Sequence, residues 1–182
     1  KKVEMSIAKM DAKQIKKIPA LLGEADVIKS VQLLHGVSSV GEGSTGFNVR
    51  GGGIDQNLVI LDEAPVFNSS HLLGFFSVFN PDAVKSVTLI KGGIPAEYGG
   101  RLSSILDVRM NEGNSKELEG SGGVGLIFSR FALQGPIKKD KASFLIAGRR
   151  SYIDVLAKPF LDDDLKDSKF YFYDLTAKLN WQ

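Results

Sequence analysis

Between residues 46 and 110 the apolar positions come in short bursts. Residues 47–50, 58–61, 84–90 and 105–110 are apolar-rich, and glycine-rich or polar turns separate them. Runs this short, with such punctuation, predict strands. Val84, Val87, Leu89 and Ile90 predict a buried one, and Gly92, Gly93, Pro95, Gly99 and Gly100 break the chain before the next. Upstream, residues 3–8 alternate weakly, as a strand does. Asp11 then offers an N-cap with Gln14 three residues on, a capping-box pattern that predicts a short helix over 12–17, stopped by Pro19. A second helix is predicted from about Glu24, with Glu24 and Asp26 in its first turn, where negative charge suits the helix dipole. Val27, Ile28, Val31 and Leu34 line one face of it, and Gly36 is a natural stop. Residues 41–46 read as a polar loop, and Asn80-Pro81-Asp82 as the start of a helical turn.

The runs at 47–50 and 58–61 are joined by residues 51–57. A hairpin there makes the two strands antiparallel. The loop before Phe47 and the segment after Asp62 then lie at the same end, which brings residues 38–46 and 68–73 together.

After Asn111 the pattern changes. Residues 112–116 read as a polar hinge, and long strand-like segments follow at 120–134, 142–152 and 170–181. The last is the most regular. Tyr171, Tyr173, Leu175, Ala177, Leu179 and Trp181 point one way; Phe172, Asp174, Thr176, Lys178 and Asn180 point the other. Such alternation fits a strand with one apolar and one wet face. From Tyr173 to Trp181 is about 26 Å at ~3.3 Å per residue, and a ~40° tilt leaves roughly 20 Å of height. That nearly spans an outer-membrane apolar band, with aromatics at both margins. An ordinary half-exposed sheet explains this strand equally well. The two earlier segments alternate poorly, and Arg149 and Arg150 fall on opposite faces.

Composition narrows the classes. The chain has 182 residues, 43% hydrophobic and 24% charged, enough for one core or one domain plus a piece of another. A net charge of +2 without a basic cluster gives no reason to expect nucleic acid. The absence of cysteine removes disulfides, zinc–thiolate sites and thiol nucleophiles. No secretory signal is expected at residues 1–10, and no apolar run approaches the ~20 residues of a membrane helix. The richest run, 72–79, is interrupted by Gly74 and Ser77. A membrane protein of this sequence must be built of strands.

Several patterns invite chemistry that their context does not support. Gly41-Glu-Gly43-Ser-Thr-Gly46 matches G-x-G-x-x-G, with Asp62 downstream. A dinucleotide loop follows a strand and opens a helix, whose N-terminus holds the pyrophosphate. Here the glycines follow a helix and precede a strand. His35 sits at a helix end, and no motif fixes a serine between His71 and an acid, so a hydrolase is not supported. Asp162-Asp163-Asp164 lacks the spacing of a calcium loop and reads as solvated charge. No catalytic residue, cofactor or metal ligand is predicted.

The ordered pieces NVRGG, LVILDEAPV, FNPDAVKSVTLIKG and PAEYGGRLSSILDV resemble the plug domain of TonB-dependent outer-membrane receptors. The resemblance is closest to the receptors typical of Bacteroidetes-like bacteria and covers about residues 3–112. It implies an α+β plug domain around a small mixed β-sheet over residues 1–113. Residues 114–182 would then begin a transmembrane β-barrel, with about three antiparallel strands of an incomplete set; receptor barrels of this class have about 22. It also implies an outer-membrane location with the plug inside the barrel lumen, and a transport protein, not an enzyme. The implied partners are TonB, reached through a segment upstream of Lys1, the rest of the receptor's own barrel, and outer-membrane lipid. The substrate stays open among iron chelates, cobalamin, other small molecules, glycans and peptides, although the motif wording is not that of the glycan-importing SusC group. Two departures stand out: Glu63 where the family commonly has glycine, and His35 where it has proline.

Arg50, Glu97 and Arg101 sit beside strand ends in glycine-rich turns and by themselves read as surface charge. By the resemblance, Arg50 of VRGG and Arg101 of YGGRL match positions that anchor the plug to the barrel wall, and Glu97 joins them. The end shared by the two loops becomes the extracellular one, so Glu42, Ser44, Thr45, Asn68 and His71 are expected to include ligand contacts. Two other classes stay open: a free-standing α+β binding module using the same loops, and a nucleotide-dependent enzyme built on residues 41–46.

Overall fold

Two compact units make up the chain, residues 6–18 with 25–110 and residues 111–181. The structure, a computed structural model, describes residues 6–18, 25–41, 44–71, 74–160 and 171–181. In chain order the first unit runs β1 (Ile7–Asp11), α1 (Ala12–Lys17), α2 (Val27–Gln32), β2 (Val37–Ser39), β3 (Phe47–Val49), a 3-10 turn (Ile54–Gln56), β4 (Asn57–Leu61), β5 (Ala64–Pro65), β6 (Ser70–His71), β7 (Phe76–Ser77), β8 (Val84–Ile90) and β9 (Ser104–Met110).

A five-stranded sheet in the order β1-β8-β9-β4-β5 forms its centre. β8 runs antiparallel to β1 and β9, whereas β9 and β4 are parallel, so the sheet is mixed. The central strands are apolar on both faces. Val87 and Leu89 of β8, Leu106 and Val108 of β9 and Val59 of β4 face a core closed by Ile15 of α1 and Val27, Ile28 and Val31 of α2. Ile60, Ile90 and Ile105 cluster separately, with Leu58, Ile94 and Tyr98 against them.

α1 has the predicted bounds, and Gln14 Oε1 accepts the Asp11 N–H at 2.9 Å. α2 starts later than expected. Asp26 is its N-cap, accepting the Lys29 N–H at 3.0 Å, and does not lie in the first turn; Glu24 lies outside the described residues. A charged cap satisfies an otherwise orphaned donor, which a first-turn carboxylate does not. Beyond α2, Lys91 Nζ donates to the His35 carbonyl at 2.8 Å. Residues 80–83 form a single turn and not a helix: Asn80 accepts from the Asp82 N–H with its side chain and from the Ala83 N–H with its carbonyl.

The expected hairpin between β3 and β4 does not form. β3 pairs with β2, and β4 lies in the central sheet between β9 and β5. Arg50 and Gly51, at φ 50° and 81°, and the 3-10 turn after them swing the chain out of register. β4 carries buried residues on both faces and is satisfied only where both are covered. One side-chain bond replaces the missing ladder: Asn57 Nδ2 donates to the Phe47 carbonyl at 2.8 Å. Gly52 packs so closely on Ser103 that an added Cβ would overlap that side chain.

The second unit contains β10 (Glu119–Val124), β11 (Phe128–Lys138), β12 (Ala142–Ser151), a short helix α3 (Ile153–Ala157) and β13 (Tyr173–Trp181). The strands form one antiparallel sheet in sequence order, four and not three among the described residues. Residues 120–134, expected as one strand, are two. Glycines at 120, 122, 123 and 125 hide the bend from any alternation pattern, and the turn is closed by the Gly125 N–H on the Phe128 carbonyl at 2.7 Å. Pro136 is tolerated in β11 because pairing with β10 ends at Gln134.

One face of this sheet is apolar and exposed. On β13, Leu175 and Leu179 are 72% and 76% exposed, and Tyr173, Ala177 and Trp181 share their face. Cross-strand neighbours continue it: Ile146 beside Ala177, Leu133 beside Ile146, and Phe131 lying over Gly148. The opposite face is buried and mixed: Arg149, only 3% exposed, Ser143 and Ser151 lie among Phe128, Ala132, Leu145 and Ala147. Among the described residues no helix is long and apolar enough to cross a membrane, which says nothing of strands.

Candidate functional site

Two separated loops of the first unit meet in one open cavity of about 630 Å³. One wall is the segment before β3, with Ser44, Thr45 and Gly46. The other is the segment that carries β6, with Phe67, Asn68, Ser70 and His71. Hydrogen bonds close the walls on each other: the Thr45 N–H donates to the Gly74 carbonyl at 2.5 Å and its hydroxyl to the same oxygen at 2.7 Å. Asn68 Oδ1 accepts the Ser70 N–H at 3.3 Å and so folds its own wall.

Four of the five expected ligand residues, Ser44, Thr45, Asn68 and His71, therefore line the same space. Glu42 lies outside the described residues. The loops converge by direct contact and not through the hairpin that the sequence suggested. Thr45 is 2% exposed with its hydroxyl proton committed to Gly74, so it builds the wall. Ser44, Asn68 and His71 are more open. The described lining holds no carboxylate, lysine or arginine and offers hydroxyl, amide and imidazole groups beside Phe67, 89% exposed, and Ile54. Such a surface binds by hydrogen bonds and apolar contact. Phe67, Ile54 and Ser70 were not singled out from sequence; an exposed aromatic in a polar loop was the available signal.

The three charged residues do not gather at one place. Arg50 leaves the end of β3, its Nη1 so near Gly92 that an added Cβ there would lie 2.8 Å away. Glu97 lines an open cleft of about 530 Å³ with Leu58, Ile60, Tyr98 and Arg109. Arg101 borders a smaller cavity of about 150 Å³ that shares Thr45, Ile54, Phe67 and Ser69 with the loop cavity. All three are exposed, and within the described residues none makes an ion pair. Arg109 contrasts with them. It donates to Glu63 and Asp107 at 3.0 Å each, and the hydrogen bond to Glu63, followed by that to Asp107, raises its pKa above the ordinary arginine value.

The glycine-rich segment ending at Gly46 leads into β3, a strand, so it has no helix N-terminus to offer a phosphate. The aspartates at 162–164 lie outside the described residues.

The model of the TonB-dependent Receptor Plug Domain matches residues 1–104. The chain belongs to this family. Solved structures agree with the fold. The siderophore receptor PirA from Pseudomonas aeruginosa aligns over 97% of this chain and 31% of its own, at 20% identity and a TM-score of 0.67. PirA from Acinetobacter baumannii aligns over 98% and 29%, at 17% identity and a TM-score of 0.69. The ferric enterobactin receptor PfeA from Pseudomonas aeruginosa, in complex with enterobactin, aligns over 81% and 25%, at 19% identity and a TM-score of 0.62. The chain thus spans under a third of the length of these structures. No curated protein matches it. The plug domain fold is the mixed sheet with its helices, and the further antiparallel strands belong to the same receptor fold without closing a barrel.

Proposed function

We propose that the chain is the N-terminal part of a TonB-dependent outer-membrane transporter, with the plug over residues 1–113 and barrel strands from 114. The carrying observation is the exposed apolar face of the second sheet, with Leu175 and Leu179 72% and 76% exposed, in a chain of the plug family. A free-standing soluble module has no use for that arrangement. The apolar face meets outer-membrane lipid, and the plug occludes the lumen until TonB pulls on a segment ahead of Lys1. The protein binds and moves its substrate and performs no bond chemistry.

The loop cavity forms part of the ligand site, with Ser44, Asn68 and His71 as contacts and Thr45 as a wall residue; Glu42, two residues before Ser44 in the sequence, is the fifth expected contact. The cavity's hydroxyl- and amide-rich lining suits hydroxyl- or amide-bearing groups of a small molecule, glycan or peptide, and Arg101, on the smaller cavity that shares part of its wall, offers a positive charge to a ligand long enough to reach it. Arg50, Glu97 and Arg101 are exposed and make no ion pair among the described residues, which leaves them open to pair with a barrel wall.

The test is energised uptake by the full-length receptor. The compound that co-purifies with it identifies the substrate, with ferric enterobactin, bound by PfeA, as the first candidate. Ser44→Ala, Asn68→Ala and His71→Ala combined should weaken uptake at least tenfold at normal receptor levels. Unchanged affinity in that variant overturns the ligand assignment, and uptake independent of TonB overturns the transporter.

A further inference from the structure

Both walls of the loop cavity are fastened to one helix. At the C-terminal end of α2, Gln32 Nε2 donates to the carbonyl oxygens of Ser44 and Gly46, 2.8 Å to each. At the N-terminal end, Asp26 caps the helix with one carboxylate oxygen and accepts the Ser77 N–H with the other, at 2.7 Å. Ser77 belongs to β7, whose ladder partner β6 supplies Ser70 and His71 to the cavity. Lys29, between the two grips, lays its ammonium 5.5 Å from the centre of the Phe76 ring on the same strand. The helix cannot drift, because Val27, Ile28 and Val31 are wholly buried in the core.

These bonds are stronger than their number suggests. The Asp26 bond is charge-assisted and sits at a residue 7% exposed, where losing an acceptor leaves a donor stranded. The wall at 44–46 has no strand of its own; the two Gln32 bonds and Thr45 tie it to the rest of the unit, while the Val40 N–H on the Gly46 carbonyl, the Ser44 N–H on the Gly41 carbonyl and the Gly46 N–H on Ser44 Oγ shape it locally. The walls also touch directly through Thr45 and Gly74, so a disturbance at one can reach the other.

We propose that α2 is a bracket that sets the width of the cavity, with Asp26 and Gln32 as positioning residues that hold it open without touching the ligand. The importance of the bracket for uptake rests on reading the cavity as a ligand site. The bracket itself does not.

The experiment is amide hydrogen exchange on the full-length receptor. Gln32→Leu keeps the side-chain volume and removes both donors. It should speed exchange roughly tenfold at residues 44–46 and also at Phe76 and Ser77, which Gln32 does not touch. Asp26→Asn should do the converse and loosen residues 44–46. Exchange in β8 and β9 should stay as in the native receptor, as it should in Lys16→Met, which breaks the Lys16–Asp82 pair elsewhere on the unit. A rise confined to each variant's own hydrogen-bond partner, or no rise, overturns the bracket. Should Asp26→Asn loosen β8 and β9 as well, the decision falls to Gln32→Leu and to Gln32→Asn, whose shorter amide loses its reach without adding an apolar group; either must still loosen Ser77. The triple alanine cavity variant, run for ferric enterobactin uptake alongside, separates the two claims: normal uptake there removes the ligand role and leaves the exchange result standing.

Discussion

Arg149 on β12 and Asp174 on β13 face each other across the buried side of the second sheet, with Nη2 2.5 Å and Nε 3.0 Å from the same carboxylate oxygen. The guanidinium also lies 5.1 Å from the centre of the Phe172 ring. Removing one partner breaks a largely buried ion pair, so Arg149→Ala should cost about 3–5 kcal/mol. Replacing both, with Arg149→Met and Asp174→Leu, should recover most of that. Chemical denaturation of the full-length receptor measures both; a double variant as unstable as the single one contradicts the account.

The two faces of β13 make opposite demands. Arginine at Ala177, mid-strand on the exposed apolar face, should cost roughly 2–4 kcal/mol in a lipid bilayer. At Thr176, on the other face, it should be mild. Equal effects in folding measurements with lipid vesicles would show that the lipid face is misassigned.

Glu63 occupies a backbone conformation suited to glycine. Asp62 and Glu63 stand at φ 45° and 75° in the turn between β4 and β5. The strain of a side chain there is about 1 kcal/mol, and the exposed ion pair with Arg109 offsets at most a similar amount. Glu63→Gly should leave stability unchanged or slightly raised, whereas Glu63→Val, branched at Cβ, should lower it by more than about 1 kcal/mol. The order of denaturation midpoints decides.

Lys29 gives stability a pH dependence of unusual sign. Burial lowers its pKa below the ordinary lysine value, against the pull of Asp26. The folded state then holds this proton less tightly than the unfolded state, so stability rises with pH between the lowered pKa and 10.5. Lys29→Met, which keeps the stem over Phe76, should abolish that share of the alkaline rise. Subtracting the variant's stability from the native receptor's across that range isolates it; a flat difference contradicts the assignment.

Arg50 and Arg101 test how the plug is held. If their exposed charges bond to a barrel wall, each contributes about 1 kcal/mol. Arg50→Ala with Arg101→Ala should leave a folded receptor that admits more of a bulky antibiotic in cells lacking TonB. Unchanged permeation at normal receptor levels, or loss of folded receptor, argues that the arginines are surface or structural residues.

What the sequence revealed depended on how local the cause was. α1 was legible to the residue because Asp11 and Gln14 are three apart. β8 and β9 were legible because their apolar runs need cover on both faces. β4 was legible as a strand but not by partner, since its parallel mate β9 lies far downstream and the nearer β3 looked like a hairpin arm. β10 and β11 merged because glycines carry no alternation. In the loop cavity, Ser44, Thr45, Asn68 and His71 were placed together from a correct end assignment with a mistaken cause. Gln32 left no trace, since an amide on an exposed helix end shows its purpose only when the loop at 44–46 is folded onto it. Arg101 was grouped with Arg50 by motif, and only the fold puts it beside the cavity.

β1 is at once the earliest described strand and an edge of the central sheet, and its five rungs run from Ile7 opposite Ile90 to Asp11 opposite Ser86. A load entering ahead of Ile7 therefore meets one rung, then the next, as a zipper meets its tab. The force that opens it is set by the strongest single rung, while the work done is the sum over all of them. Dislodging the sheet in one piece would demand that whole sum within one displacement. A motor of modest force and long stroke can unravel what thermal motion cannot expel.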